Sequence, residues 1–431
     1  MPDTVPPVAP PVAEAAEVIV AAAQPSRERY LGVAKRALID AVLDDDAWDG
    51  PTRDALARIA HRLALLFHVE FHAAREGLRD DYVVLNPDQP GEAPLATLPA
   101  NQSAFLDRLD RVLMAANFSR LTPTEIAPER DERGRVRARV RVPQDAFTDV
   151  RFYGRGRRQR SLEIREWFGL KREQVPAVVW DFVVFTAALD PKAPPRALRD
   201  TRLRAGGLYL KLFRDIPRAD LETLYPNARV VMGMTDTLLI GVPAVVGGVP
   251  LLINLLPALS VLLVVVGAYL GVAGTVEDDA MKQAVAALSG LGALGGFLAR
   301  QWIKYERQRL KHQKQVSDNA YYNTLNNNAG LFDWLIGASE DSEVKEAFLA
   351  YALLLRAGGA SDMAALDEAV EAWLKERFAL DVDFEEDDAL AKLERLGLIE
   401  RSHEGLRAVA PETALARLER AWEAAGEKAF V

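Results

Sequence analysis

The chain has 431 residues, 49% of them hydrophobic, with a formal charge of −9 and no cysteine. That length allows two or three domains with sizeable cores. The lack of cysteine excludes disulfides, thiolate metal sites and cysteine nucleophiles.

The charge is unevenly spread. Residues 151–218 hold 16 Arg and Lys against 7 Asp and Glu, whereas residues 341–431 hold 11 against 21. Residues 1–27 are rich in Pro, Ala and Val and carry no base before Arg27. They lack the positive start of a signal peptide and the arginines of a presequence, and read as a disordered tail.

Residues 28–120 read as a helical region, with helices over Ala34–Leu43, Thr52–Arg79 and Asn101–Ala116. On the long helix Leu56, Ile59, Leu63, Leu66 and Phe67 form a core-facing stripe. His61, His68 and His72 fall within a sector about 40° wide, almost opposite that stripe. The i, i+4 pair His68/His72 has the spacing of helical zinc ligands. Glu70 points the other way, so the H-E-x-x-H arrangement is absent. No metal centre is assigned; a polar face or an interdomain contact is the alternative to zinc.

Residues 121–236 read as an α+β domain with mixed or antiparallel strands. Alternation marks strands at Arg135–Val142 and Phe147–Tyr153, and further strands follow at Ala177–Ala188, Leu208–Phe213 and Arg229–Met234. A short helix is expected at Pro217–Leu224. Gly154–Arg160 reads as a basic turn, with Arg155, Arg157 and Arg158 facing lipid headgroups or solvent. No aromatic platform is interleaved with it, and nucleic acid is not an expected partner.

From Thr237 to Val276 the chain carries no charge. Residues 237–304 are therefore expected to form a transmembrane hairpin with spans of about 251–274 and 284–303, flanked by the basic residues Arg300, Lys304 and Arg307. A pair of buried core helices is the soluble alternative, and residues 237–250 are open to being a third membrane element. The positive-inside rule places both termini in the cytoplasm, with the hairpin in an inner (cytoplasmic) membrane. Small residues at helix-packing spacing, Gly267/Gly271 and Gly292/Gly296 among them, admit packing within the hairpin or in a homo-oligomer.

Residues 305–340 read as a juxtamembrane helix and an Asn-rich turn. Asn319, Tyr322, Asn326, Asn327 and Asn328 are the candidate polar binding residues there, against a plain turn as the alternative. Residues 341–431 show helices at Ser342–Leu355, Met363–Arg377 and Glu385–Leu396, the last capped by Asp383 and stopped by Gly397. A hairpin around His403–Gly405 and a helix over Pro411–Ala425 follow. This is a winged-helix-like order, but its acidic third helix suits a protein partner better than DNA.

Phe67-His-Val-Glu-Phe-His72, Leu208–Glu222, Asn326-Asn-Asn-Ala-Gly330 and Val382–Gly397 together resemble the transmembrane protein 143-like family, in this case a bacterial member. The resemblance implies a two-span membrane protein with no established activity and transfers no catalytic residue. The sequence reading is thus an α+β multi-domain membrane protein that binds lipids and, through its C-terminal domain, a protein. Its expected role is that of a non-enzymatic scaffold or regulator. A membrane-bound metal-dependent hydrolase using His68/His72, and an oligomeric pore or transporter, are the alternatives. No cofactor is expected beyond the zinc just weighed.

Overall fold

The computed structural model describes residues 27–88, 98–127, 139–166, 171–194, 203–226, 228–231, 278–360 and 362–429 (Glu385 and Glu404 excepted), with scattered positions between 246 and 270. The elements run α1 (Lys35–Leu43), α2 (Gly50–Tyr82), α3 (Leu98–Ala115), β1 (Ser119–Arg120), α4 (Pro123–Ile126), β2 (Arg139–Arg141), β3 (Phe147–Glu166), β4 (Lys171–Leu189) and β5 (Leu208–Pro217). A 3-10 turn, Arg218–Leu224, leads to β6 (Arg229–Val231). Then come α5 (Asp278–Asn323), β7 (Thr324–Asn327), α6 (Gly330–Ala357), α7 (Met363–Phe378), α8 (Glu386–Arg395), β8 (Ile399–Ser402), β9 (Gly405–Ala408) and α9 (Pro411–Ala429). The chain forms two compact units. One joins the chain up to Leu63 with Lys345–Glu423, and the other holds Ala64–Val344.

The second unit is organised by a five-stranded antiparallel sheet in the order β1-β3-β4-β5-β7. Period-two alternation gives the sheet two apolar faces. Tyr153, Val184, Ala188, Leu208, Leu210 and Leu212 face helical residues such as Tyr82, Phe105 and Phe332. The ring centroids of Tyr82 lie 5.3 Å from those of both Phe105 and Phe332. On the other face Phe152, Val183, Phe185 and Phe213 pack with Leu221 and Leu224 of the 3-10 turn.

Alternation breaks at one row. Trp180 and Ile216 join the same cluster as Val183 and Phe213, although strict alternation would turn them to the opposite face. Between the paired rows Arg155–Phe182–Arg214 and Arg157–Trp180–Ile216 lie Gly156, Asp181 and Asp215. Gly156 has φ +75° and Asp215 has φ +51°. Left-handed backbone in two of three adjacent strands re-aims the side chains beyond it. Arg160 spans the row, 2.9 Å from Asp181 and 2.7 Å from Asp215, and Arg158 reaches Asp181 at 2.7 Å. The stretch Gly154–Arg160, read as a basic turn, is therefore the interior of β3. Its glycines serve packing: a Cβ on Gly154 would sit 2.6 Å from the Trp180 indole.

The first unit is closed by the extended segment 27–33. Arg27 Nη2 donates to Glu371 Oε2 at 2.8 Å and to the Val382 carbonyl at 2.6 Å, and the Asp383 amide donates to the Glu28 carbonyl at 2.9 Å. The buried Lys345 donates to the carbonyls of Leu31 at 2.9 Å and Val33 at 3.2 Å. The Asp383 carboxylate, expected as a helix cap, instead lies 3.7 Å from Arg29. Helices α7 and α8 and the β8–β9 hairpin fall where periodicity placed them. An isolated bridge from Ala360 to Leu406 adds a third short strand position to the hairpin.

The transmembrane reading is overturned. Among the described residues no helix is long and apolar enough to cross a membrane. Most of the expected span 251–274 lies outside the described residues. The expected span 284–303 is an inner stretch of α5, which continues unbroken to Asn323. Its uncharged part, Ala284–Ala299, would rise only about 24 Å, short of a hydrocarbon core of about 30 Å. Four glycines and Ser289 dilute even that part. The fold is a mixed α/β arrangement of helices and a sheet. The expectations of an integral membrane protein, of an inner-membrane location and of an orientation with both termini cytoplasmic rested on those spans and go with them.

Candidate interaction surface

Helix α5 is exposed or half-buried over most of its length. Ala284, Leu294, His312 and Val316 are buried. About 120° round the helix from their mean direction, Met281, Val285, Leu288, Ile303 and Leu310 are exposed by 47 to 62%, in a sector about 60° wide, while the exposed Leu298 and Trp302 share the side of the buried four. An exposed apolar stripe along a surface helix is a candidate contact surface. Gly292 and Gly296 occupy its middle, and a Cβ added to Gly292, Gly295 or Gly296 would meet nothing within 4 Å. Each glycine costs about 1 kcal/mol of helix stability against Ala. No contact among the described residues requires them.

Beside the stripe, on one edge, run Arg300, Lys304, Arg307, Lys311 and Lys314, all exposed. No ion pair joins any of the five to another described residue. The opposite edge holds Glu306, which pairs with Arg309 at 3.3 Å. The sequence singled out Arg300, Lys304 and Arg307. The structure sets them as a row parallel to an apolar strip on one continuous helix. Trp302 is 65% exposed on the same helix and stacks near Tyr305 at 6.0 Å.

The other candidates fall elsewhere. Arg155 is buried, with its guanidinium 4.9 Å from the ring centroids of Phe118 and Phe182 and 5.1 Å from that of Trp334. It donates to the Ala116 carbonyl at 2.9 Å, binding α3 to the sheet. Arg157 is half-buried, and Arg158 is held by Asp181. His61, His68 and His72 are all exposed. His68 Nδ1 lies 3.0 Å from Glu340 Oε1, and His72 Nδ1 lies 2.9 Å from Arg75 Nη2. Among the described residues neither is gathered with two further ligands of a metal ion.

The Asn-rich segment divides between helix, strand and turn. Asn319 accepts from Asn323 at 2.9 Å in the last turn of α5, and Tyr322 is exposed against Tyr321. Asn326 and Asn327 pair with Leu212 and Lys211 at the sheet edge. Asn328 is buried with φ +47°. Its Oδ1 accepts from the Leu210 amide at 3.1 Å, its own amide donates to the Leu210 carbonyl at 2.8 Å, and Nδ2 donates to Asp88 at 2.6 Å.

One polar group was missed in the sequence. The Tyr153 hydroxyl donates to Asp110, and Arg151 reaches Asp110 at 2.9 Å and Asp149 at 2.8 Å. Burial first, then the Asp110 acceptor, raises the Tyr153 pKa above the ordinary phenol value. The group ties α3 to β3, and no periodicity signal could have joined positions so far apart.

Residues 173–330 match a family model described as a protein of unknown function (DUF3754). The DUF3754 match begins in β4 and runs through α5 and β7, so the whole of α5 lies inside it. It does not single out the transmembrane protein 143-like family. No solved structure matches the chain.

Proposed function

We propose that this protein is a non-enzymatic binding or scaffold protein and that the exposed face of α5 is its docking element. The observation that carries this is the apolar stripe, Met281 to Leu310, left open along a helix that is anchored only at Ala284, Leu294, His312 and Val316 among its described residues. Contiguous exposed apolar surface has a hydration cost that burial against another molecule removes, at about 25 cal/mol per Å². Gly292 and Gly296 keep that strip free of side chains at its centre. Catalysis has less support: His68 and His72 lie on an exposed helix face, each paired to one neighbouring side chain.

A photo-crosslinking amino acid placed at Leu288 of the full-length chain in its native cell tests the proposal. An adduct with one defined protein, identified by mass spectrometry and absent when the same probe stands at Arg36, is the expected result. No protein adduct at Leu288 would remove the reading.

A further inference from the structure

Resting on that reading, we infer that the occupant of the α5 face is an amphipathic helix of another protein, bordered along one edge by acidic residues. Two independent features of α5 specify it. The first is steric. Gly292 and Gly296 sit one turn apart in the middle of the stripe, with open space where their side chains would be. A gap of that kind lets a second backbone approach closely, or seats one bulky apolar knob, with Val285 and Leu288 on one side and Ile303 on the other. A partner without a helical backbone or knob gains nothing from it.

The second is electrostatic. Arg300, Lys304, Arg307, Lys311 and Lys314 follow one another at helical spacing beside the stripe, exposed and joined by no ion pair to another described residue, with Asp318 one turn beyond the last of them. A row of like charges on a helix is self-repulsive. Carboxylates on a docked helix would relieve that repulsion and fix the register and direction of docking. The row lies along the C-terminal half of α5, whereas the glycine gap is central. The acidic edge of the partner must therefore extend beyond its knob in one direction.

The test uses the full-length protein and two designed peptides, followed by fluorescence anisotropy. They share one leucine face and differ only in carrying glutamate or lysine along one edge. The acid-edged peptide is expected to bind, more weakly at high salt, and the lysine-edged one is not. A triple variant, Arg300→Glu, Arg307→Glu, Lys311→Glu, is expected to bind the acid-edged peptide about tenfold more weakly or worse, and to accept the lysine-edged peptide instead. Gly292→Leu, which meets no neighbour and favours the helix, is expected to weaken binding with unchanged helicity.

Equal binding of both peptides, or an unaffected Gly292→Leu variant, would overturn the inference. So would association with phosphatidylglycerol vesicles without binding of either peptide. If Leu288 crosslinks to a protein while neither peptide binds, the docking role stands and the acid-edged helix is wrong.

Discussion

Lys345 and Leu31, 314 residues apart in sequence, meet inside one unit: the ammonium of the first donates to the carbonyl of the second at 2.9 Å. Lys345 is 1% exposed, and its other backbone partner, the Val33 carbonyl, lies at 3.2 Å. A buried charge is tolerated when hydrogen bonds replace its water, and here the extended N-terminal segment supplies two of them.

Replacing Lys345 by Ala therefore removes two charge-assisted bonds, leaves the Leu31 and Val33 carbonyls short of a donor and opens a cavity. The expected cost is about 3 kcal/mol or more, read from the urea midpoint. Arg27→Ala is the contrast. Its ion pair with Glu371 is on a side chain 47% exposed, and its loss should cost under about 1 kcal/mol. Equal effects would mean that the segment is held by its surface charges.

Gly156→Ala should destabilise the second unit by about 2 kcal/mol or more, because left-handed backbone is unfavourable for a residue with a Cβ. The added carbon would also lie 2.6 Å from Asp181 Cβ and Oδ2. The same substitution at Gly50, where nothing lies within 4 Å, should be close to neutral or favourable. Comparing the two melting temperatures checks the claim.

At Asn328 two substitutions separate backbone from side chain. Asn328→Gly keeps the left-handed turn but loses the Oδ1 acceptor for the Leu210 amide and the bond to Asp88. Asn328→Ala loses both bonds and adds strain, so it should be less stable than the glycine variant by roughly 1 kcal/mol. The reverse order would show that the left-handed turn is not what selects asparagine.

Alkaline pH should unfold the protein progressively. The pKa values of the Tyr82, Tyr153 and Tyr351 hydroxyls all lie above the ordinary phenol value, burial being the first cause in each. A phenol with a raised folded pKa keeps its proton where the unfolded chain has lost it. Its contribution is complete below about pH 10 and falls as pH rises beyond that. Tyr153→Phe should be less stable at about pH 8, yet lose stability less steeply than the parent towards about pH 11.5. Parallel slopes would refute the assignment.

Local pattern was enough for much of this chain. The stripe Leu56, Ile59, Leu63, Leu66 and Phe67 is buried as its helical spacing required. Alternation located β4 and β5, and Gly397, at φ +70°, ends α8. These are properties of neighbouring residues, which the chain carries without reference to the rest of the fold. The apolar stretches before and after Glu277 are plain in the sequence and read as a pair of spans, but hydrophobicity alone does not state what covers them. Whether Ala284–Ala299 stood alone or formed part of a longer helix depended on the turns after it.

Tertiary structure decided what distance in sequence had hidden. Lys345 meets the Leu31 carbonyl, Arg155 enters a cage of three rings, and Gly156, Asp181 and Asp215 align across three strands. A charge looks the same in a one-dimensional list whether it ends in water or against a carbonyl. Its meaning is set by the dielectric and the partners that folding brings to it, and those come from other segments of the chain.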